Sequence, residues 1–357
     1  MPVASSFLDP ATACSAELPE EFEMTTTRRV VLARRPQGEP VVEDFALVER
    51  ELDPLKDGEV LLKVEHLSID AFIRTTLDGT DGLHGTIDLG DVPVTALGIG
   101  RVVDSRADGL NQGDAVFGPM GAQTHVVWPG AMLRKLEESD VPARTWLGAL
   151  GMTTGLTAYA GMLICGKVEP GDTVVVSAAA GAVGSVACQL AKIAGARVVG
   201  IAGGPDKCRY LTEEIGCDAA ADYKAGDLNA RLGELCPDGI NVFFDNVGGE
   251  VLDAALDNIA KQARVVICGA ISQYNNMSEV TGPRLYLRIP ERNASMLGFT
   301  VDHYASEFPR MEAEMAGWIR EGRLKLPEHI IDGIDNFPEA IVTLMSGGHR
   351  GKLLVAP

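Results

Sequence analysis

Positive charge is scarce in this chain: 31 Lys and Arg stand against 50 Asp and Glu over 357 residues, a formal charge of −19. Such a surface repels phosphate backbones and anionic head groups, which argues against nucleic acid and membrane surfaces as partners. A single anionic ligand is still admissible, because backbone amides and one or two local cations outweigh a screened net charge. The seven cysteines, at 14, 165, 188, 208, 217, 236 and 268, form no Cys-x-x-Cys pair and no regular framework. They read as reduced, mostly structural thiols, which suits a cytoplasmic protein. No run of about 18 apolar residues is available to span a bilayer. The first 23 residues lack Lys and Arg, and Met1 to Cys14 lacks the apolar stretch of a secretory signal. With Glu17, Glu20, Glu21 and Glu23 acidic, residues 1–24 are expected to be a disordered leader.

With 46% hydrophobic residues, the remainder can build a large core, and the length suggests two domains. Between Arg28 and about Asp140 the pattern is one of short strands with turn punctuation: Val30 to Ala33, Glu59 to Leu67, Val94 to Asp104, Ala115 to Phe117 and His125 to Trp128. From Thr173 onward the rhythm changes. Apolar strands at Thr173 to Ser177, Arg197 to Ile201, Ala219 to Ala221, Asn241 to Asp245, Arg264 to Cys268 and Ser295 to Val301 alternate with helical stretches. That is the α/β pattern of a Rossmann doubly wound parallel sheet. The tail, with helices near Met311 to Glu321 and Pro338 to Met345 and a strand at Lys352 to Val355, is expected to return to the first domain.

After Val174-Val175-Val176 comes Ser177-Ala178-Ala179-Ala180-Gly181-Ala182-Val183-Gly184, then a helix whose apolar face carries Val183, Val186, Ala187, Leu190, Ala191 and Ala194. This is A-x-G-x-x-G between strand and helix, the setting of a dinucleotide pyrophosphate site. Gly181 would let the backbone approach the phosphates and Gly184 would permit close helix packing, with Ala180, Ala182 and Val183 beside them. Ala179 departs from the usual first glycine. About 20 residues on, where an acid selects NAD, the chain reads Ile201-Ala202-Gly203-Gly204, followed by Lys207. A neutral strand end with a nearby cation favours NADPH. Asp206 is the nearest acid; its place at a helix start makes it a candidate N-cap, with NAD as the alternative cofactor.

The runs Gly151-Met152-Thr153-Thr154-Gly155-Leu156-Thr157-Ala158-Tyr159, Asp245-Asn246-Val247-Gly248-Gly249-Glu250 and Cys268-Gly269-Ala270-Ile271-Ser272-Gln273-Tyr274-Asn275, in order with the glycine turn, resemble the medium-chain dehydrogenase/reductase superfamily. More narrowly they resemble its zinc-independent prostaglandin reductase and alkenal double-bond reductase branch, over residues 27–357. The resemblance implies a GroES-like β-rich catalytic domain (25–150, completed by 306–357) joined to a Rossmann NADPH domain (151–305), often as a homodimer. It implies hydride transfer from NADPH to the β-carbon of an α,β-unsaturated ketone or aldehyde, then protonation of the α-carbon. By motif, Lys207 and Tyr223 would hold the 2′-phosphate, and Asn246 would line the cleft. Cys268, Gly269, Ala270, Ile271, Ser272 and Tyr274, with Phe299, Thr300 and Val301, would flank the nicotinamide, and Met152 and Thr157 belong to the same set.

Tyr274 lies in a polar loop at the carboxyl edge of the expected sheet, where such folds bind ligands. It is the candidate catalytic residue: its phenol could donate to an oxyanion, orient a ribose hydroxyl that does so, or merely pack. Zinc-dependent relatives carry a cysteine in the segment that reads His66-Leu67-Ser68-Ile69-Asp70 here, and a His-Glu pair where Gly98-Ile99-Gly100-Arg101 stands, so no metal is expected. His66 and Asp70 could pair, although a structural histidine is the simpler reading. Asp70-Ala71-Phe72-Ile73-Arg74 replaces the branch's Asp-Pro-Tyr-Met-Arg, so substrate contacts are expected from Phe72, Arg74 and Tyr274, with an apolar wall in place of a hydroxyl. His349, exposed-looking in Gly347-Gly348-His349-Arg350, is a candidate cofactor contact. Quinone or carbonyl reduction, and an NADPH-binding sensor without catalysis, stand as the alternatives.

Overall fold

The computed structural model describes residues 25–79, 84–137 and 141–357. The expected leader, 1–24, lies outside the described residues. Strands β1 (Thr26–Leu32) and β2 (Phe45–Glu51) pair antiparallel. Then come β3 (Glu59–Ser68), the single-turn helix α1 (Phe72–Thr75), β4 (Leu97–Ser105), β5 (Ala115–Pro119), β6 (His125–Pro129) and β7 (Arg134–Lys135). The second half opens with β8 (Thr173–Val176), α2 (Ala182–Ile193), β9 (Arg197–Ala202), α3 (Pro205–Tyr210), β10 (Ala219–Asp222), β11 (Ile240–Asp245), β12 (Ile259–Ile267) and β13 (Ser295–Gly298). The tail holds α4 (Phe308–Arg320), β14 (Glu328–Asp332), α5 (Phe337–Met345) and β15 (Lys352–Ala356).

The six strands β8 to β13 form one sheet in the order β10-β9-β8-β11-β12-β13, all parallel. This is the doubly wound order, with its switch point between β8 and β11. Val174, Val175, Val176, Phe243, Phe244, Val265 and Val266 have no exposed surface. Both faces of these strands are covered, which is why they read as unbroken apolar runs. The fifth strand starts earlier than its apolar core, at Ile259, across a register shift opposite Ile240 and Val242. The sixth stops at Gly298, so Phe299 and Thr300 leave the sheet and Val301 opens a 3-10 segment.

The other sheet runs β14-β15-β3-β4-β5-β7, with β6 paired to β3. The return strand β15 thus sits beside β3, antiparallel to it, through Leu354 with Ser68 and Val355 with Leu67. Strands β2 and β14 are additions to the sequence pattern. Phe-Ala-Leu-Val-Glu-Arg-Glu and Glu-His-Ile-Ile-Asp are too charged to advertise themselves; β2 is held by β1 and β14 by β15.

The tail is fastened inside the core by charge. Lys352 Nζ donates to Asp70 Oδ1 at 2.7 Å, with side-chain exposures of 1% and 8%, and Ser68 Oγ donates to the other carboxylate oxygen. Asp70 therefore faces Lys352, not His66. Removing one partner of such a pair strands the other charge, so Lys352→Met should cost about 3–5 kcal/mol in denaturant unfolding. Adding Asp70→Asn should restore more than half of that loss; no recovery in the double variant would deny the pairing.

Candidate functional site

The centre of the site is the turn from β8 into α2. Ala178 takes a positive φ of 46°, and Gly181 caps the helix in extended conformation at φ −81° and ψ −178°. A Cβ on Gly184 would lie 2.3 Å from the Ala178 carbonyl oxygen, whereas one on Gly181 meets only that oxygen, at 3.3 Å. Gly184 is thus required for packing, and Gly181 leaves open space before the helix. The first amides of α2, at Ala182 and Val183, lack intrahelical partners and carry the positive end of its dipole. From the tail, Gly351 N–H donates to the Ala180 carbonyl at 2.9 Å and fixes the outer rim of the turn.

Asp245, at the end of β11, is fully buried and organises the adjacent loop. Its carboxylate accepts from Ser177 Oγ at 2.8 Å, Val247 N at 3.0 Å and Gly248 N at 3.1 Å. Burial raises its pKa, while these donors oppose the rise. Asn246 is drawn to the same place: its side-chain amide donates to the Ser177 carbonyl at 2.7 Å. A small-residue crevice between β8 and β11 results, at the switch point of the sheet.

At one end of the crevice, Gly203 and Gly204 leave β9 beneath Tyr223 and Lys224. A Cβ on Gly203 would meet both side chains at 2.9 Å. Asp222 ties these loops together, accepting from Gly204 N at 2.8 Å and Lys224 N at 2.9 Å, and those bonds lower its pKa. Lys207 Nζ donates to the Gly347 carbonyl at 2.6 Å. Its pKa is lowered first by burial and then by Lys224 and Arg350, so three cations share this end. An anion placed there relieves their repulsion. Lys224 and Arg350 had gone unremarked in the sequence, although each adjoins a candidate, Tyr223 and His349. The helix cap is Gly204, with Pro205 first in α3; Asp206 lies one residue further and pairs with Arg209. Asp206 is therefore not the N-cap.

His349 is buried, at 9% exposure, which corrects the expectation of an exposed side chain. The fold of the tail over α3 encloses it beside a groove of about 940 Å³ that Lys207 and Arg350 also line. Burial, then Lys207, pushes its pKa down to about 4, and Nδ1 has no hydrogen-bond partner. At neutral pH it is an uncharged imidazole with a polar atom unsatisfied.

At the other end, Cys268 and Gly269 donate their amides to the Asp245 carbonyl at 2.8 and 3.1 Å, and a 3-10 turn at Ile271–Gln273 leads to Tyr274. The Ser272 hydroxyl and amide both reach the Val247 carbonyl. Tyr274 folds back, its hydroxyl accepting from Ala270 N at 3.2 Å and lying where a Cβ on Gly269 would be 2.8 Å away. Burial raises the phenol's pKa, and the Cys268 thiol is pushed up to about 12, also chiefly by burial. Both stay protonated at neutral pH. Thr157 donates to the Met152 carbonyl at 2.7 Å, which fixes the turn between them. Val301 and Phe299 pack on the core of the parallel sheet, the Phe299 ring edge-on to Tyr304 at 6.4 Å. Across the cleft, α1 presents Phe72, whose ring lies 5.0 Å from that of His84. Arg74, expected to reach substrate, is 1% exposed and bonded to Asp78, Gly38 and Asn275. Among the described residues, no group of three or more His, Cys, Asp and Glu could hold a metal ion, and no helix is long and apolar enough to cross a membrane.

Residues 28–136 match a family described as the N-terminal domain of oxidoreductase, and residues 182–317 one described as zinc-binding dehydrogenase. The putative NADP-dependent oxidoreductase YfmJ of Bacillus subtilis is 42% identical over 92% of this chain and 97% of its own. Prostaglandin reductase 1 of Bos taurus is 39% identical over 89% of this chain and 95% of its own. Among solved structures, CurA of Vibrio vulnificus in complex with NADPH superposes with a TM-score of 0.86 at 34% identity, covering 92% of this chain and 98% of that one.

The cation cluster carries a direct consequence for cofactor choice. Loss of one charge-assisted contact to a phosphate is worth about 1.5–3 kcal/mol, so Lys207→Ala should weaken NADPH about 10–100-fold in fluorescence titration and NADH about 2-fold or less. Equal losses for the two would separate Lys207 from the 2′-phosphate.

Proposed function

The chain belongs to the medium-chain dehydrogenase/reductase superfamily, in its prostaglandin and alkenal reductase branch, and is an NADPH-dependent oxidoreductase; from that premise we propose that it reduces the carbon-carbon double bond of α,β-unsaturated ketones or aldehydes. The observation that carries the reading is the Tyr274 hydroxyl, set at the carboxyl edge of the parallel sheet, where it accepts from Ala270 N and has its own proton to donate.

The residues fit the cofactor. Gly184 and Gly203 stand where side chains would collide with neighbours, the first amides of α2 are suited to a pyrophosphate, and Lys207, Tyr223 and Lys224 surround the neutral end of β9. NADPH held along this crevice by Asn246 and the Cys268-to-Ser272 edge would supply a hydride for the β-carbon. Met152, Thr157, Thr300 and Val301 would complete that end, and His349, which lines the groove with Lys207 and Arg350, would be a neutral polar contact at the cationic end. As charge gathers on the carbonyl oxygen, Tyr274 donates a hydrogen bond to it, alone or through a ribose hydroxyl. Phe72 gives the substrate an apolar wall, which selects for an apolar group rather than a hydroxyl. A homodimer belongs to the same proposal: β13 is the outer strand of its sheet, and Tyr286, Leu287 and Leu297 near it are 57%, 63% and 39% exposed. Light scattering should read the mass of two chains; one chain would refute it.

With purified protein and a panel of enones, enals and quinones, loss of the conjugated double bond should match NADPH oxidation one to one. Oxidation of NADPH with the enone left intact, or with quinones alone, would sink the reading. Tyr274→Phe should lower kcat about 100-fold or more while NADPH affinity holds. Because the phenol's pKa is raised, activity should persist through the ordinary tyrosine value of about 10 and be lost only as pH climbs above it. That alkaline limb should vanish in Tyr274→Phe.

A further inference from the structure

Arg74 is a buried cation that the chemistry above does not use. Its Nη1 donates to Asp78 Oδ1 at 2.5 Å, and Nη2 to the carbonyls of Gly38 and Asn275, both at 2.9 Å. Its Nε donates to Asn275 Oδ1 at 3.2 Å. At 1% exposure, with these four contacts made by five N–H groups, it has little left to offer a substrate.

Two of the contacts cross between segments that belong to different sheets. Arg74 lies on α1, which follows β3, and Asn275 follows β12, 201 residues further on. Burying a guanidinium costs several kcal/mol, and an apolar side chain could hold α1 in the core without that cost. What an apolar side chain could not do is grip one residue by both its backbone carbonyl and its side-chain oxygen. A planar fork fixes the position and the rotation of its target together. The target here is the residue next to Tyr274.

Tyr274 has few other restraints. Its hydroxyl has one bond, from Ala270 N at 3.2 Å, and its own amide reaches the Ile271 carbonyl at 3.3 Å. Beyond Asn275, residues 276–282 are all exposed. The near end of the loop is anchored by Cys268 and Gly269 on Asp245, and Arg74 anchors the far end. Phe72 precedes Arg74 by two residues on the same turn, so one rigid piece carries the apolar wall and the clamp.

We propose that Arg74 is a positioning residue: through Asn275 it sets where the Tyr274 hydroxyl stands relative to Phe72 across the cleft. The inference rests on Tyr274 as the hydrogen-bond donor of the reduction. A displacement of about 1 Å at a catalytic group costs on the order of 100-fold in rate. Arg74→Met should therefore lower kcat about 10–100-fold while the NADPH dissociation constant moves less than about 3-fold. Arg74→Lys keeps a charge for Asp78 but lacks the fork, so it should return the thermal midpoint without returning kcat. Asn275→Ala leaves Arg74 in place and should lower kcat in the same direction, which keeps the test decisive if Arg74→Met does not fold.

The deciding measurement is a double-mutant cycle with Tyr274→Phe. Acting through Tyr274, Arg74→Met or Asn275→Ala should reduce kcat by less than about 3-fold once Tyr274 is Phe. Losses that multiply, or a Lys variant that recovers turnover together with stability, would make Arg74 a structural cation and overturn the proposal, with the donor reading intact. Unchanged turnover in Tyr274→Phe alone would instead remove the donor reading, and the route through Tyr274 with it.

Discussion

The structure depends on one steric constraint: the turn between β8 and α2 has no room for a side chain at Gly184, where the Ala178 carbonyl would stand 2.3 Å from a Cβ. Any residue larger than glycine would push the helix off the sheet. With the contact kept, the amino end of α2 sits directly over the carboxyl ends of β8 and β11. Its unpaired amides then face a crevice floored by Ser177, Asn246 and the buried Asp245. The polar groups around that crevice are mostly satisfied from within the protein, which holds it open in a fixed shape before any ligand arrives.

The second sheet meets this turn through Gly351, and two further contacts of different chemistry fix the chain on either side of it. Gly351 makes a backbone bridge to Ala180, Lys352 makes a buried ion pair with Asp70, and Arg74 clamps Asn275. Adjacent residues 351 and 352 thus connect the β8-to-α2 turn to the end of β3, while Arg74 connects α1 to the loop of Tyr274. The glycine turn, the Tyr274 loop and α1 with Phe72 are thus held by contacts among the protein's own groups. Rigid placement of this kind is what a reductase needs when its main contribution is orientation and a single hydrogen bond.

Much of the nucleotide half was legible because its signals are local. Apolar runs such as Val174 to Val176 and Phe243 to Asp245 announce strands buried on both faces, and the spacing of Gly181 and Gly184 announces the turn. What escaped was set by distant neighbours. Strand β14 is half charged and exists because β15 offers it an edge. The burial of His349 comes from chain packed over it by α3, with Lys207 reaching across to Gly347. Asp206 looked like a cap because the cap itself, Gly204, has no side chain to signal with. Arg74 stood in a segment expected to face substrate, and only its partner 201 residues away reveals a different task.

The proposed reaction makes one chemical claim, that hydride goes to the β-carbon, three bonds from the carbonyl oxygen, rather than to the carbonyl carbon itself. Tracing the transferred atom tests it most directly. NADPH bearing deuterium at the transferable C4 position, turned over with an enone, should place the label on the β-carbon of a saturated ketone, with the new α-hydrogen drawn from solvent. Label on the carbinol carbon of an allylic alcohol would contradict the account.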